Sequence, residues 1–323
     1  MQSRGAILLL IIFITICFSS KAQLKPVLDM DFPDPTVIEA NGRYYAFATN
    51  TGSGGNYRRV QVAVSDDLQD WKLLGDALPQ LPAWASTHFW APHVLYHEEL
   101  QRYVLFFSAQ SKDTSRQRMG IGVAFSKNPE GPYIPEPEAL MIDTGFKTID
   151  PMVMKDPKTQ KYYITWGSDF APIKIRELHS SMTRFADGSS EKVLIPAGKD
   201  KAYARLVEAP WIDFQDGFYY LYYSGDNCCG AEANYAVLVA RATSITGPYT
   251  RLGEWNKTQH SVILEKDQNL MAPGHNSIIQ DKSGKKWIAY HAIPMDRFKE
   301  GRYARLMYLS PIEYKNGWPV VKK

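Results

Sequence analysis

The sequence predicts an all-β fold, a five-bladed β-propeller with four antiparallel strands in each blade, and two observations support this prediction. First, one motif occurs five times: a short apolar segment that contains Pro or Asn leads through a polar turn into a segment rich in aromatic residues. Taking Pro35, Pro92, Pro151, Pro210 and Asn276 as equivalent, the steps are 57, 59, 59 and 66 residues, a fixed period typical of repeat architectures. Second, each repeat contains four short β-prone segments, and propeller blades are four-stranded sheets.

The fourth repeat shows its four strands most clearly. Residues 210–214 form a short apolar strand, an Asp-Gly turn follows, and residues 218–224 form a second strand dense in aromatic side chains. Residues 235–241 alternate as a third strand, and a Gly-Pro turn leads to a fourth strand at 249–252. In the first repeat the third and fourth strands are predicted at 60–65 and 71–73, and in the second at 121–126 and after the turn at 129–133. In the third repeat they are predicted at 173–178 and 193–195, and in the fifth at 306–309 and 312–314.

The repeats occupy nearly all of residues 23–323, so we expect a single propeller domain without a second domain beside it. No segment of useful length shows a helical period. The main alternative is a set of stacked sandwich domains, but about 60 residues is small for an independent hydrophobic core.

Composition sets limits on partners. The chain has 323 residues, of which 45% are hydrophobic and 22% charged, with a net charge of +3. These values are ordinary for a globular protein with a well-buried core. Without a strong positive charge or a basic run, we expect no nucleic-acid partner.

The N-terminus predicts export. Arg4 is followed by an apolar run over residues 6–18 and then by small and polar residues up to Ala22, the pattern of a secretory signal comprising residues 1–22. The alternative, a membrane anchor, needs about 18–20 apolar residues, so we expect no stable membrane insertion. A lipid on Cys17 would tie the protein to the cell surface, but Ile16 is larger than lipoprotein processing usually tolerates. We expect a periplasmic or extracellular protein.

Two adjacent cysteines remain after the signal. In an oxidising compartment Cys228 and Cys229 can form a vicinal disulfide that stiffens a turn, and the alternative is two free thiols. A zinc site is disfavoured because no second Cys/His pair has the spacing of metal ligands.

The repeats bring acidic residues together. In a propeller the first strand of each blade lines the central axis, so residues at equivalent positions converge there. The position before the equivalent Pro or Asn is occupied by Asp34, Ala91, Asp150, Ala209 and His275, and Glu208 and Trp90 lie one step earlier. Carboxylates crowded away from water must separate their pKa values, which is how acid and base roles become assigned. Each Asp alone could instead be a turn cap before Pro.

This ordered set of motifs resembles glycoside hydrolase family 43, the five-bladed arabinanases, arabinofuranosidases and xylosidases. The resemblance covers the chain after the signal and is carried by Pro33-Asp34-Pro35, Trp90-Ala91-Pro92, Ile149-Asp150-Pro151, Val207-Glu208-Ala209-Pro210 and Gly274-His275-Asn276-Ser277. It implies that Asp34 is the general base, Glu208 the general acid, and Asp150 the residue that tunes and orients the acid. The family inverts anomeric configuration, which requires the two working carboxyls to lie about 6.5–9.5 Å apart.

The resemblance also implies residues that bind substrate. Trp90 would stack on the sugar, the alternative being a packing role, and Arg305 would reach a sugar hydroxyl, the alternative being a surface ion pair. Phe32 and Phe47 are further candidates for pocket walls, although core packing is the favoured interpretation for each. Three aromatic residues just before Trp90 could shape an outer subsite, or could instead form a hydrophobic plug in the loop. They are Trp84, His88 and Phe89.

No cofactor is needed for this chemistry. His275 is the candidate contact to an axial calcium ion or its water shell, as in many members of the family, or else an axial side chain without metal. Calcium prefers oxygen ligands, so the imidazole would be one contact among waters.

The predicted function is hydrolysis of pentose-containing oligosaccharides or polysaccharides. Because xylosidases of the family frequently carry an additional β-sandwich, an α-L-arabinofuranosidase is favoured, followed by an endo-arabinanase and a β-xylosidase. The alternatives outside the family are a non-catalytic carbohydrate-binding propeller and a related five-bladed enzyme acting on fructose or mannose linkages.

Overall fold

The computed structural model describes residues 24–52, 57–113, 118–198, 203–258 and 260–322. Within these residues the strands form five antiparallel sheets, each from one consecutive stretch of chain, and the predicted five-bladed propeller is confirmed. The predicted signal, residues 1–22, lies outside the described residues.

The strands follow one another in order within each blade. Blade one contains β1 (Thr36–Ala40), β2 (Arg43–Ala48), β3 (Gln61–Ser65) and β4 (Trp71–Asp76). Blade two contains β5 (Ala85–His97), β6 (Arg102–Ser111), β7 (Arg118–Ser126), β8 (Ile134–Pro135) and β9 (Met141–Thr144). Blade three contains β10 (Met152–Lys155), β11 (Tyr162–Trp166), β12 (Ile173–Leu178) and β13 (Lys192–Ile195).

Blades four and five complete the ring. Blade four contains β14 (Val207–Gln215), β15 (Phe218–Gly225), β16 (Ala236–Ala242), β17 (Thr250–Arg251) and β18 (Val262–Leu264), with the helix α1 (Leu252–Trp255) before β18. Blade five contains β19 (Leu270–Gln280), β20 (Lys286–Pro294), β21 (Leu306–Lys315) and β22 (Trp318–Val321), with the helix α2 (Met295–Lys299) after β20.

Three details differ from the prediction. Blades two and four carry a fifth strand each, since β9 pairs with β7 and β18 pairs with β16. The strand predicted at 249–252 is shorter, because helix α1 begins at Leu252. Both helices are single turns, too short for the 3.6-residue period to be visible in the sequence.

Tight turns explain several hairpins. Asn41-Gly42 joins β1 to β2, Asp216-Gly217 joins β14 to β15 and Asn316-Gly317 joins β21 to β22. Both central residues have positive φ in all three, for example 53° and 75° at Asn41-Gly42. This is the signature of a type I′ turn, whose twist matches that of antiparallel strands and which Asn-Gly and Asp-Gly favour.

The aromatic second strands are buried on both faces because they lie between neighbouring blades. In β15, Tyr219, Leu221 and Tyr223 pack into a cluster with side chains of blade three, including Ile175. The alternating residues Tyr220 and Tyr222 pack into a cluster with blade five. A strand with apolar neighbours on both sides needs no polar alternation, which accounts for its dense aromatic sequence.

The first strands of the blades form the axis. β1 contacts β5 and β19, β10 contacts β5 and β14, and β14 contacts β19, so the five innermost strands form a closed ring. The segment before β1 closes the propeller from outside: Leu28 forms a β-bridge with Met307 of β21, and the N–H of Phe32 donates to the carbonyl of Arg305 (2.9 Å). No helix within the described residues is long and apolar enough to span a membrane.

Candidate active site

The five equivalent axial residues share an uncommon backbone conformation. Asp34, Ala91, Asp150, Ala209 and His275 all have positive φ, between 47° and 61°. Asp tolerates this left-handed region better than most residues, but Ala and His do so at a cost of about 1–2 kcal/mol each. The same conformation at five positions shows that the repeat dictates it, and it turns each of these residues out of regular strand geometry.

In three blades this residue lies within an irregularity of the ladder. The register of β5 shifts between Trp90 and His93, that of β14 between Glu208 and Trp211, and that of β19 between Gly274 and Ser277. Bulges of this kind re-aim side chains and are frequent beside active sites. In blades one and three the residue directly precedes the Pro before β1 and β10.

A polar side chain from the preceding blade fixes four of these residues. In these four cases a polar residue that follows the aromatic run of the second strand accepts the axial N–H of the next blade, and blade five supplies the acceptor for blade one. The bonds run from Ala91 to Thr49 Oγ1 (2.9 Å), from Asp150 to Ser108 Oγ (3.0 Å), from His275 to Ser224 Oγ (2.8 Å) and from Asp34 to His291 Nδ1 (3.1 Å).

The fifth position departs from this pattern. The N–H of Ala209 donates to Asp150 Oδ2 (3.1 Å), whereas Ser168, which holds the equivalent place after β11, donates to Glu208 Oε2 (2.5 Å). Tyr235 donates to the other oxygen of Glu208, Oε1 (2.6 Å). Asp150 thus fixes the backbone next to Glu208. Ser168 bonds to the carboxyl of Glu208, whereas its counterparts in the other blades accept an axial N–H.

The predicted axial residues line one cavity of about 410 Å³. Asp34, Asp150, Glu208, His275, Trp90 and Arg305 all contribute to its surface. The structure therefore brings together the six polar or aromatic residues that the sequence placed at this end of the propeller.

Asp34 is held as a carboxylate. Arg305 Nη1 lies 3.0 Å from Asp34 Oδ1, His275 Nδ1 lies 3.3 Å from the same oxygen, and Thr49 donates to Oδ2 (2.5 Å). Burial by itself would raise the pKa of Asp34, but the positive charges of Arg305 and His275 hold that pKa well below its usual range. Arg305 is thus neither exposed nor remote: its ion pair is made inside the cavity.

Asp150 and Glu208 shift in the opposite direction. Burial, with repulsion from Glu208 and Asp34 and against the attraction of His275, raises the pKa of Asp150 to about 8. Burial also raises the pKa of Glu208, against the hydroxyl groups of Ser168 and Tyr235, which stabilise the ionised form. At neutral pH the site therefore combines an ionised Asp34 with a protonated Asp150, and the pKa of Glu208 is shifted in the same direction as that of Asp150.

His275 compensates part of this negative charge. Its burial opposes protonation, but Asp34, Asp150 and Glu208 raise its pKa above the usual value. The nearby His291 is different: burial lowers its pKa to about 4, so this ring is neutral. Among the described residues there is no group of three or more His, Cys, Asp or Glu side chains arranged to hold a metal ion.

The walls of the cavity are aromatic on one side. Trp90 is partly exposed and its ring stacks on Phe146, with centroids 5.9 Å apart and an interplanar angle of 22°. His88 is exposed beside Trp90, with ring centroids 4.9 Å apart. Trp84 and Phe89 are instead buried, in a cluster with Phe107, which favours the packing interpretation for these two.

Phe32 and Phe47 do not form walls of this cavity, and the core packing that the sequence favoured for both is what the structure has. Both side chains are fully buried, with 0% exposure, and neither contributes to the cavity surface. Phe32 packs with Leu28 and Met307 where the ring closes, and Phe47 packs with Tyr133 between blades one and two. Their position next to an axial motif reflects the core of blade one.

Comparison with known proteins identifies the family. Residues 23–319 match the model of glycosyl hydrolases family 43. The chain belongs to glycosyl hydrolase family 43. As a member of this family it is a glycoside hydrolase, and the resemblance predicted from the axial motifs is confirmed.

Two curated members of family 43 are similar to this chain over most of its length. It is 25% identical over 328 residues to the extracellular exo-α-(1→5)-L-arabinofuranosidase of Cellvibrio japonicus, covering 95% of this chain and 90% of that protein. It is 27% identical over 266 residues to the extracellular endo-α-(1→5)-L-arabinanase 1 of Bacillus subtilis, covering 79% of this chain and 73% of that protein.

Solved structures agree on the architecture. The crystal structure of an exo-1,5-α-L-arabinanase from a bovine ruminal metagenomic library has a TM-score of 0.74 at 26% identity, covering 91% of this chain and 97% of that chain. A Cellvibrio cellulosa α-L-arabinanase in complex with arabinohexaose also has a TM-score of 0.74, at 21% identity, covering 90% of this chain and 95% of that chain. The second likeness concerns the fold alone.

Sequence reasoning missed several residues of this family 43 site. Ser168, Tyr235 and His291 hold the axial residues, and Asp169 and Phe170 line the cavity. A signal existed for Ser168 and His291, though not for Tyr235, because in each repeat a polar residue follows the aromatic run of the second strand. These residues are Thr49, Ser108, Ser168, Ser224 and His291.

The disulfide prediction is confirmed. Cys228 and Cys229 are joined in a disulfide in the loop between β15 and β16. Both cysteines line the cavity, a position that no pattern in the sequence indicates.

Proposed function

We propose that this protein is an inverting exo-acting α-L-arabinofuranosidase that releases arabinose from plant oligosaccharides or polysaccharides. The observation that carries the proposal is that the pKa values of carboxyls in one cavity shift in opposite directions. Asp34 is ionised and paired with Arg305, whereas the pKa values of Asp150 and Glu208 are raised. Hydrolysis of a glycosidic bond with inversion needs one carboxylate base and one carboxylic acid.

Asp34 is the general base in this proposal. A water molecule bound between Asp34 and the anomeric carbon would lose its proton to the carboxylate as it attacks. Because Arg305 and His275 keep Asp34 ionised, the base is ready at neutral pH. Its low pKa also makes it a weak base, so orientation of the water contributes a large part of the rate.

Glu208 is the general acid and Asp150 adjusts it. The raised pKa of Glu208 lets it carry a proton to the leaving oxygen, and the hydroxyls of Ser168 and Tyr235 fix both carboxyl oxygens. Asp150 accepts a hydrogen bond from the N–H of Ala209, so it orients the backbone next to the acid. Its carboxyl also interacts electrostatically with Glu208. The role predicted for Asp150, tuning and orienting the acid, has this physical basis.

Arabinose is proposed as the sugar because the similar exo-acting and endo-acting proteins are both named as enzymes of α-(1→5)-linked L-arabinose. Trp90, stacked on Phe146 and partly exposed, would contact the face of the sugar ring. Arg305 has further N–H groups beyond the one that pairs with Asp34, and these would reach a sugar hydroxyl.

Product analysis tests the proposal. Purified protein would be incubated with linear arabinan, branched arabinan, arabinoxylan and the 4-nitrophenyl α-L-arabinofuranoside and β-D-xyloside. We expect free arabinose as the main product, and NMR of the first product formed should show the inverted anomer. A ladder of arabino-oligosaccharides would instead establish an endo-arabinanase, xylose alone would establish a xylosidase, and binding without any cleavage would establish a carbohydrate-binding propeller.

Matched variants assign the roles. Asp34→Ala and Glu208→Ala should each lose nearly all hydrolysis, whereas Asp66→Ala should keep it, because Asp66 pairs with Arg43 on an exposed surface. Unchanged hydrolysis in either of the first two variants would contradict the catalytic assignment.

Two further proposals accompany this function. Export through the secretory pathway is supported by the N-terminal sequence and by relatives described as extracellular, and cell fractionation tests it. A calcium ion held through waters near His275 is tested by adding a chelator and then calcium, with the melting temperature as readout. The chemistry described above involves no metal.

A further inference from the structure

The disulfide lies in a part of the cavity wall to which the hydrolytic chemistry gives no role. Cys228 and Cys229 line the cavity together with Asn227, Leu206 and Phe170, and Cys229 is exposed. The aromatic wall formed by Trp90 and Phe146 belongs to blade two and the segment before β10, whereas the disulfide belongs to blade four. The two linked cysteines thus contribute a part of the cavity surface that is distinct from the aromatic wall.

The loop that carries the disulfide is fixed by its own hydrogen bonds. The N–H of Asp226 donates to the carbonyl of Leu206 (3.0 Å), and the N–H of Asn234 donates to the carbonyl of Asn227 (2.8 Å). The side chain of Asn227 donates to the carbonyl of Cys229 (3.1 Å), and that of Asn234 to Asp226 Oδ2 (2.7 Å). These bonds make the loop a defined wall.

The same loop connects to the proposed acid. Cys228 packs against a buried cluster that includes Ala233, Tyr235 and Ile293, and the hydroxyl of Tyr235 donates to Glu208 Oε1 (2.6 Å). The disulfide and Glu208 therefore belong to one blade and share a supporting side chain. The acid protonates the leaving oxygen, so the cavity wall on the side of Glu208 faces the leaving-group side of the scissile bond.

We propose that the Cys228–Cys229 disulfide forms one wall of the subsite that receives the sugar on the leaving-group side of the scissile bond. Its ligand is a neutral pentofuranosyl unit whose C–H groups pack against the sulfur atoms, since divalent sulfur is polarisable and makes favourable apolar contacts. A disulfide has no hydrogen-bond donor, whereas two thiols add weak donors and release the covalent link between adjacent residues. The inference rests on the proposed function, because that function defines the leaving-group side.

The test compares a ligand that fills the leaving-group side with one that does not. α-(1→5)-Arabinotriose extends beyond the cleaved bond, and its KM is measured by arabinose release. Free arabinose, as a competitive inhibitor, occupies only the deep part of the cavity beside the carboxyls, and its Ki is measured. Both are determined before and after treatment with tris(2-carboxyethyl)phosphine, which reduces the disulfide to two thiols and becomes its oxide, while water supplies the oxygen of the oxide and the two thiol protons. Thiol counting by mass spectrometry confirms the two states.

We expect reduction to raise KM for arabinotriose by about 2- to 10-fold, as loss of one favourable sulfur contact would do. Ki for arabinose should stay unchanged. The double variant Cys228→Ser/Cys229→Ser should show the raised KM without reductant and should not respond to it, which separates the disulfide from other effects of the reagent. Thermal unfolding of all forms shows whether they are folded.

Four results would overturn the inference. They are an unchanged KM for arabinotriose after complete reduction, parallel changes in KM and in Ki, a response of the double variant to the reductant, and free thiols in the purified protein. Failure of the proposed function would be distinguishable from failure of this inference, because the oxidised protein would then not hydrolyse arabinotriose at all.

Discussion

The pKa values of Asp34 and Glu208 shift in opposite directions, although both carboxyls are withdrawn from solvent, because their contacting groups differ. Asp34 contacts the cations Arg305 and His275, which outweigh the cost of burying its charge. The hydrogen bonds to Glu208 among the described residues come from the neutral hydroxyls of Ser168 and Tyr235. Burial outweighs these bonds and the attraction of His275, so the pKa of Glu208 rises. Individual contacts thus separate the pKa values of the two carboxyls, as the proposed roles of base and acid require.

Arg305 should set the acidic limit of activity. Since its charge lowers the pKa of Asp34, Arg305→Met should raise that pKa, and the base would then become protonated at a higher pH. The acidic limb of the profile of kcat/KM against pH should move to higher pH, and kcat/KM should fall by about 10-fold or more from loss of a charged hydrogen bond.

The matched control is Arg302→Met. Arg302 pairs with Glu300 on an exposed surface, so this variant should keep the wild-type profile. An unmoved acidic limb in Arg305→Met would contradict the assignment of Asp34 as the base.

Ser168 should affect the alkaline limit. Its hydroxyl donates to Glu208 and so favours the ionised form; Ser168→Ala should raise the pKa of Glu208 further and move the alkaline limb to higher pH. We also expect kcat to fall by about 10-fold, since a hydrogen bond to a charged group contributes about 1.5–3 kcal/mol.

Ser126→Ala provides the comparison, because Ser126 accepts the N–H of Asn128 in a turn and does not line the cavity. A lower kcat in Ser168→Ala without a shifted limb would mean that the hydroxyl only packs against the acid.

At the scale of elements, close approach between strands fixes the supports of the site. Gly274 of β19 lies against the ring of Tyr235, at the start of the neighbouring strand β16, so that a methyl group on Gly274 would come within 2.1 Å of Tyr235 Cδ1. Tyr235 in turn holds Glu208. Because position 274 has no side chain, Tyr235 can occupy the place from which it donates to Glu208, the proposed acid.

Gly274→Ala should displace Tyr235 and thereby disturb Glu208. Overpacking of this kind costs about 1–3 kcal/mol, so we expect a lower melting temperature together with reduced kcat. In Gly52→Ala the added methyl group would meet no atom within 4 Å, and this variant should match the wild type in both measurements. Wild-type kcat in Gly274→Ala would show that Tyr235 does not position the acid.

At the scale of the whole molecule, the ring is closed by noncovalent contacts between its two ends. Blade one and blade five meet along the axis through β1 and β19 and at the outside through the segment before β1. That outer segment also holds the site, because the N–H of Arg305 donates to Asp31 Oδ1 (2.8 Å). Closure and chemistry therefore depend on the same stretch of chain.

Leu28 should be a measurable part of this closure. It is buried in a cluster with Phe32, Met307 and Leu309, and Leu28→Ala should lower the free energy of unfolding by about 2–4 kcal/mol. Leu81→Ala, at a residue that is 41% exposed, should change it by less than about 0.5 kcal/mol. Denaturant unfolding measures both, and equal effects would show that the segment contributes nothing to closure.

The sequence alone determined the repeat, and with it the fold and the axial set. Local rules were sufficient for this: aromatic runs, Asn-Gly and Asp-Gly turns and a constant spacing are all visible without tertiary structure. Asp34, Asp150, Glu208, His275 and Trp90 follow from register, because equivalent residues of a closed ring must converge at one end. Helix α1 and the strands β9 and β18 were missed because each is too short for a periodic pattern.

Only the tertiary structure decided the partners of these residues and the walls around them. By sequence, Phe32 and Phe47 are candidates for pocket walls as well as for the core, because whether an aromatic side chain faces a cavity or a core depends on the packing of the neighbouring blade. Ser168, Tyr235 and the Cys228–Cys229 pair reach Glu208 and the cavity from other strands and loops. The physical reason is that pKa values and subsite walls depend on distances between segments remote in sequence, which spacing along the chain does not specify.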